Sequence, residues 1–532
     1  MIKILVADKL SLAGIDLLKD QYEVDIKTGL NELDICSIIN GYEALLVRSQ
    51  TQVTAKIIDA ANNLKVIARA GVGIDNIDLA AATERGIIVV NAPSANTISA
   101  AEHAFGLMLA VARNIPQGNE SLHNGKWDRS NLMGVELYGK TLGLLGLGRI
   151  GAEVAKRALA FEMNVLAHDP FVSDERAKTL GVTLVDVEEL FSKSDFISLH
   201  TALVEKTKGM INKELLSKAK DNLILINAAR GPLINSFDLL QALENNQIKG
   251  AAIDVFDVEP AIDDPLTKSN RIVVTPHLGA STREAQDRAA IVVAEEVMTI
   301  LNGGSARYAT NLPMMSQDDI TSTGLYTSAA MLAASVANQI STGSVKEVKI
   351  DYFGQISHKD CSMLRASVLA GLFYQVHDVP VTIVNAEKVA EQHGLKITEI
   401  SDIDDGGSYV SSIGVTVINE QDVSNKVITT FSGNDSRIIN VNDFKLDFSA
   451  LQSNNMLVIG NNDAPGAIGE VGSLLAKLGL NINSMFVSPG KDNDALMVVG
   501  LDSGLSNRDI LAMLELKKYI YSVEQADIMI FK

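Results

Sequence analysis

The stretch Thr141-Leu142-Gly143-Leu144-Leu145-Gly146-Leu147-Gly148-Arg149-Ile150-Gly151 decides how this chain is read. An apolar run ends in a G-x-G-x-x-G pattern at Gly146, Gly148 and Gly151, and a helical stretch, Arg149–Phe161, follows. A second apolar run, Asn164–His168, then ends at Asp169, 18 residues beyond Gly151. Three spaced glycines alone are weak evidence; strand, glycine turn, helix, strand and acidic residue in that order are what a dinucleotide fingerprint requires. Gly146 permits the tight turn, Gly148 lets the backbone approach a pyrophosphate, and Gly151 lets the helix pack close to the sheet. The N–H groups and positive potential at the start of that helix suit phosphates. Asp169 is placed to accept from the adenosine ribose hydroxyls and to repel a 2′-phosphate, which favours NAD over NADP.

Outward from this motif, short apolar runs alternate with helical patterns over the first 300 residues. Upstream strands are expected at Ile2–Ala7, Ala44–Val47, Val66–Ala68 and Ile87–Asn91. Downstream, Phe196–His200, Leu223–Asn227, Gly250–Asp254 and Ile272–Val274 continue the second series. Runs apolar on both faces belong in buried parallel strands, so the fold class is α/β with two doubly wound, Rossmann-like sheets. The helical stretch Thr97–Ile115 joins the two series, with Ser99 and Glu102 at capping-box spacing. A second helix, Arg283–Leu301, is expected to return the chain to the first sheet, and the polar stretch 302–309 marks a boundary.

Beyond residue 310 the pattern changes. Residues 320–342 look helical, Val345–Phe353, Val410–Val417 and Val427–Ser432 look like strands, and 402–408 reads as a loop. From residue 455 the chain reads strand, helix, strand, strand, helix, strand, a ferredoxin-like β-α-β-β-α-β unit. The expected organisation is a discontinuous substrate-binding domain (1–96 and 284–310), a cofactor-binding domain (97–283), an α+β intervening domain (311–452) and the ferredoxin-like domain (453–532).

The 532 residues exceed one ordinary core and suit several domains. With 46 basic against 65 acidic residues the formal charge is −19, which argues against nucleic-acid binding and requires any anion site to be locally basic. Cys36 and Cys361 are the two cysteines, too few for a disulfide framework or a cysteine metal site. The chain opens on a strand with no targeting leader and no apolar run of membrane length, so a cytoplasmic location is expected.

Three ionisable residues each follow a strand of the second series: Arg230 in Asn227-Ala228-Ala229-Arg230-Gly231, Glu259 in Asp254-Val255-Phe256-Asp257-Val258-Glu259-Pro260, and His277 in Thr275-Pro276-His277-Leu278-Gly279. Ligands of open α/β sheets bind outside the carboxyl ends of the strands, so these side chains can converge beside a nicotinamide. Oxidation of a 2-hydroxy acid needs a hydride acceptor, a base for the hydroxyl proton and a clamp for the carboxylate. Histidine titrates near neutrality and suits the base; Glu259 can hold its second ring nitrogen; Arg230 can grip a carboxylate with a two-pronged fork. Any one of them alone would read as a surface charge or a structural residue. The ordered trio downstream of the glycine motif reverses that weighting.

The blocks GLGRIG, NAARGPL, DVFDVEP and TPHLGASTREAQ resemble the signatures of the D-isomer-specific 2-hydroxy-acid dehydrogenases, and the resemblance runs over residues 1 to about 310. It implies Arg230, Glu259 and His277 as the catalytic set and NAD contacts at Arg149, Ile150, Asp169, Thr201 and Asp254. Two loops, His200-Thr201-Ala202 and Gly231-Pro232-Leu233-Ile234-Asn235-Ser236, depart from the family's usual wording without losing a catalytic group.

Within that family the layout is similar to the long-form phosphoglycerate dehydrogenases. Arg48, Arg69 and Asn96 then match substrate-binding positions, and Arg129 is implied to reach a neighbouring subunit's site in a homodimer or homotetramer. The C-terminal unit resembles an ACT domain, a small-molecule regulatory module. It carries Asn461, Asp463 and Asn481 where such enzymes hold an L-serine effector. Two other readings stand beside this one: a dehydrogenase of another D-2-hydroxy acid, such as 2-hydroxyglutarate, and an NAD-dependent sensor without turnover.

Overall fold

The computed structural model describes residues 2–313, 315–374, 381–402, 409–491 and 493–528. Two sheets are parallel throughout. The first contains five strands in the order Glu23–Ile26, Lys3–Val6, Ala44–Val47, Val66–Arg69, Ile88–Val90. The second contains seven, ordered Ile272–Val274, Gly250–Ile253, Ile224–Asn227, Phe196–Leu199, Thr141–Leu145, Asn164–His168, Thr183–Leu184. In the second sheet the order reverses between Thr141–Leu145 and Phe196–Leu199, the point where a crevice opens above the strand ends.

Burial explains which strands were readable. Ala44–Val47, Phe196–Leu199, Ile224–Asn227 and Gly250–Ile253 are buried at every position. The edge strand Glu23–Ile26 is nowhere fully buried, and Thr183–Leu184 is two residues long at the other sheet's edge. Neither carries an apolar run, and neither was expected.

The connecting helix spans Thr97–Ala112 and stops before Ile115. Asn114 takes φ 50°, and a separate helix, Ile115–His123, starts with Pro116 in its first turn. The expected capping box does not form. The helix begins at Asn96, Ser99 is buried inside it with its hydroxyl 2.7 Å from Thr282 Oγ1, and Glu102 pairs with Arg157 at 3.1 Å. The S-x-x-E spacing is thus used by two tertiary contacts. Helix Arg283–Leu301 returns to the first sheet and packs against helix Leu12–Lys19.

The third sheet has six strands in the order Lys396–Asp402, Val345–Gly354, Ser411–Asn419, Ser424–Ser432, Asp435–Val441, Phe444–Ser449, backed by helices Thr327–Gln339 and Ser362–Leu372. Its first pair is parallel and the rest antiparallel. Of the expected loop 402–408, residues 403–408 lie outside the described residues. The fourth sheet, Ile482–Pro489, Asp494–Leu501, Asn455–Asn462, Ile520–Asp527, has the order of the β-α-β-β-α-β unit. Leu457, Ile459, Met497 and Val499 on one face pack under its own helices, while Met456, Val458, Leu496 and Val498 join the core of the third sheet.

The third unit also touches the first. Thr382 Oγ1 donates to Gly86 O at 2.9 Å, Asn385 Nδ2 to Glu84 O at 3.1 Å, and Lys388 pairs with Glu84. Between them Ala309 bridges Val90 antiparallel, and Asn311 exchanges bonds with Ile87 O and Val89 N, so the linker extends the edge of the first sheet.

Candidate active site

The glycine loop closes as its spacing requires. Gly146 has φ +99°, and a Cβ there would lie 2.7 Å from the His200 carbonyl carbon. Only glycine combines that backbone with that approach. Above Gly148, which starts helix Arg149–Ala160, there is open space, while Gly151 packs on the Gly146 carbonyl. This leaves a cradle of backbone N–H groups at a helix N-terminus, the setting a pyrophosphate needs. Asp169 accepts from Leu147 N at 2.8 Å and Phe171 N at 2.9 Å, which uses one lone pair of each oxygen and leaves room for two more donors. Arg149 reaches out of the loop to Pro93 O at 3.2 Å, toward the first sheet, and Ile150 and Thr201 are both partly exposed beside the loop.

Three loops at the carboxyl ends of the second sheet carry the trio. Gly231 is obligatory between two of them, because a Cβ would lie 2.1 Å from the Phe256 carbonyl carbon. That approach sets the Arg230 loop against the Glu259 loop. Glu259 Oε1 accepts from Phe256 N at 3.1 Å, and Oε2 lies 2.7 Å from His277 Nδ1. A carboxylate only accepts, so Nδ1 donates to Glu259 and Nε2 is the nitrogen turned away from it on a half-exposed ring. His277 sits at φ 53°, uncommon for a residue with a side chain, and its N–H is held by the carbonyls of Asp254 and Thr275.

Asp254 is fully buried and organises that loop. Its Oδ1 accepts from Thr275 Oγ1 at 2.5 Å and Leu278 N at 2.7 Å, and lies 3.1 Å from His103 Nε2. Its Oδ2 accepts from Gly279 N at 2.9 Å and has one lone pair to spare. Burial alone would raise this carboxyl, but the bonds from His103, Thr275 and Leu278 outweigh it and hold the group below its ordinary value. His103 and Asp75 were not singled out from sequence. The signal for His103 was an imidazole on a mostly apolar helix.

Across the crevice the first sheet presents cations. Asp8, buried at the end of strand Lys3–Val6, accepts from Arg48 N, Thr51 N and Thr51 Oγ1, which fixes the loop that carries Arg48. Arg69 ends its strand and donates to Gly73 O. A Cβ on Gly73 would lie 2.7 Å from Arg230 Nη2 and 3.2 Å from Arg69 Nη1, so two guanidiniums from different sheets face one glycine. Burial pushes the Arg69 guanidinium below its ordinary value; Asp75 and Asp8 oppose that shift, while Arg230 and Arg48 add to it. Among the described residues Arg230 Nη2 finds only Asp75 Oδ2, at 3.9 Å. Among the described residues, too, Arg69 Nε and Asn96 Oδ1 are buried without partners.

The remaining candidates lie elsewhere. Arg129 is exposed between helix Ile115–His123 and the second sheet, and among the described residues it has no hydrogen bond to the cluster. Asn461 pairs in register with Ala495, whereas Asn481 adjoins the Ile482–Leu501 pairing at the other end of the same strand. Asn461 is buried with Oδ1 unpartnered, and Asp463 and Asn481 are exposed. Within one chain the three do not form one pocket.

A family model described as D-isomer specific 2-hydroxyacid dehydrogenase, NAD binding domain, matches residues 105–279. One described as D-3-phosphoglycerate dehydrogenase intervening domain matches residues 326–442. The D-3-phosphoglycerate dehydrogenase of Archaeoglobus fulgidus is 41% identical over 92% of this chain and 93% of its own. That of Bacillus subtilis is 39% identical over 96% of each. Among solved structures, the TT0316 protein of Thermus thermophilus is 36% identical with a TM-score of 0.54, covering 58% of this chain and all of its own. The apo D-lactate dehydrogenase of Escherichia coli is 28% identical with a TM-score of 0.53 over the same shares. With an NAD-binding domain, an intervening domain and relatives matched along almost its whole length, the chain belongs to the D-3-phosphoglycerate dehydrogenase family of NAD-dependent D-2-hydroxyacid dehydrogenases.

Proposed function

We propose that the chain oxidises D-3-phosphoglycerate to 3-phosphohydroxypyruvate with NAD, the first step of L-serine synthesis, as a cytoplasmic enzyme. The observation that carries this reading is the 2.7 Å His277–Glu259 contact, on loops packed against the one that carries Arg230, whose guanidinium meets that of Arg69 at Gly73. NAD, held by the Gly146–Gly151 loop, Arg149, Ile150, Asp169, Thr201 and the spare lone pair of Asp254, supplies the hydride acceptor. His277 Nε2 takes the proton from the substrate's C2 hydroxyl, and Glu259 stabilises the imidazolium that results. Arg230 holds the carboxylate and polarises the C2 oxygen. Arg48, Arg69 and Asn96 take the remaining anionic groups; the orphaned Arg69 Nε and Asn96 Oδ1 are polar atoms that a substrate would satisfy.

We assign residues 1–96 and 284–310 to substrate binding, 97–283 to NAD, 311–452 to the intervening domain and 453–532 to an ACT domain. Helix Ile115–His123 and the segment after it leave Ile115, Leu122, Trp127, Met133 and Tyr138 exposed. A second copy covering this face would form the homodimer and bring Arg129 toward the partner's site. L-serine is the proposed effector, at a site completed across two chains, with Asn461 and Asp463 from one and Asn481 from the other. The orphaned Asn461 Oδ1 favours a ligand there.

The test is NADH consumption with 3-phosphohydroxypyruvate and with 2-oxoglutarate, each with and without L-serine. A strong preference for the phosphorylated ketoacid is expected, with loss of rate on adding serine. A preference for 2-oxoglutarate would transfer the assignment to 2-hydroxyglutarate. NADH binding without turnover of either would favour a sensor.

A further inference from the structure

The connecting helix Thr97–Ala112 is apolar along most of its length, yet two polar side chains one turn apart point at the loop that carries His277. Ser99 Oγ lies 2.7 Å from Thr282 Oγ1, just past that loop. His103 Nε2 lies 3.1 Å from Asp254 Oδ1 and 3.2 Å from Thr275 Oγ1. Thr275 spends its hydroxyl proton on Asp254 at 2.5 Å, so its oxygen can only accept from His103. The carboxylate likewise only accepts. Nε2 of His103 is therefore the donor to both, a bifurcated bond that ties helix, carboxylate and loop together.

From this arrangement we infer that His103 is a positioning residue for the reaction, acting through Asp254 on His277. The inference rests on the reading of His277 as the base. The chain of contacts is continuous. His103 and Thr275 fix Oδ1 of a fully buried carboxylate; that carboxylate holds Leu278 N and Gly279 N; and the Asp254 carbonyl holds His277 N at 2.8 Å. The loop it braces keeps His277 at φ 53°, a backbone state that the surrounding contacts must impose. Without the His103 donor, Oδ1 loses its anchor to the helix, and the donors that remain, Thr275, Leu278 and Gly279, all belong to the loop that the carboxylate is meant to hold in place. A displacement of His277 Nε2 by about 1 Å is enough to cost roughly 100-fold in rate. His103 also stands seven residues beyond Asn96 on one continuous helix, so the segment that presents a substrate-binding candidate also aims the base.

The experiment compares His103→Phe, which keeps the ring volume but has no donor, with His103→Gln, which returns a side-chain N–H. kcat and KM for NAD and D-3-phosphoglycerate are measured for both, alone and with His277→Ala. His103→Phe is expected to lower kcat about 10- to 100-fold, with KM values changing much less. His103→Gln should recover most of that loss, and in the His277→Ala background His103→Phe should cost little more. If His103→Phe does not fold, His103→Asn, whose shorter arm withdraws the donor, is expected to show the same kcat loss. A wild-type kcat in His103→Phe or His103→Asn overturns the inference. So does a His103→Gln enzyme as slow as His103→Phe, which would make the ring shape and not the donor responsible. If His277→Ala itself turns over normally, it is the base assignment that fails, whatever His103 does.

Discussion

The two walls of the crevice are built on opposite terms. On the second sheet the carboxylates of the site are held within the chain. Glu259 is held by Phe256 N and His277, Asp254 by four donors, and Asp169 by two backbone N–H groups. On the first sheet, among the described residues, Arg69 Nε and Asn96 Oδ1 are buried without partners, and Arg69 is repelled by Arg48 on its own wall and by Arg230 from the opposite one. One wall is finished before any ligand arrives; the other is left short of negative charge. Reacting groups must be held in a fixed geometry. An anion site gains most when its cations have nothing better to bind. The difference separates where chemistry is prepared from where affinity is generated.

The largest effect that can break this division is expected at His277. His277→Ala should lower kcat about 10²- to 10⁴-fold, the scale of a general base, with much smaller changes in KM. Steady-state NADH kinetics decide it, and near-normal turnover would remove the base from the prepared wall.

Arg69→Ala should act on the opposite quantity. Loss of charge-assisted bonds to an anion is worth about 10- to 100-fold in kcat/KM for the phosphorylated substrate. Because the guanidinium is crowded by other cations, its removal should leave Tm unchanged or raise it. A clear fall in Tm with an unchanged kcat/KM would make Arg69 a structural ion-pair residue and erase the contrast between the walls.

How much of this could be read from sequence follows the same physics. Strands buried on both faces announce themselves, and both parallel sheets were legible for that reason. Strands Glu23–Ile26, Lys396–Asp402 and Phe444–Ser449 sit at sheet edges, and Asp435–Val441 mixes buried with partly exposed residues; none has a continuous apolar run. Helices Ser362–Leu372 and Ala386–Gln392 were likewise not singled out. Local rules misled where tertiary contacts took over a local motif, as when Ser99 and Glu102 left the expected capping box for Thr282 and Arg157. The trio was legible because three chemically distinct residues each follow a strand. His103 was not, because a single histidine on an apolar helix has the same pattern whether it fills space or braces a loop.

Asp169 sharpens the comparison on the cofactor side. Its carboxylate both supports Leu147 N and keeps capacity for ribose hydroxyls. Asp169→Ala should lower the ratio of kcat/KM for NAD over that for NADP by about tenfold, the worth of one bond to a charged acceptor. An unchanged ratio would confine Asp169 to holding the glycine loop.

The smallest effect concerns His200, which lies against Gly146 and shares a 2.9 Å contact with Ser198. Burial disfavours its imidazolium and brings its pKa down from 6.5 to about 4. Between these two values the unfolded chain binds a proton that the native chain refuses. Native stability therefore falls as the pH drops through this window, and the contribution is fully present above the unfolded value of 6.5. His200→Asn removes the titration while keeping a polar group beside Ser198, so the acid-side decline in Tm should flatten in that range. The same variant should leave the Arg69 wall unaffected, with KM for D-3-phosphoglycerate unchanged. An identical Tm-against-pH curve would mean that water reaches His200, and that the floor beneath the glycine loop is less completely closed than the packing of Gly146 implies.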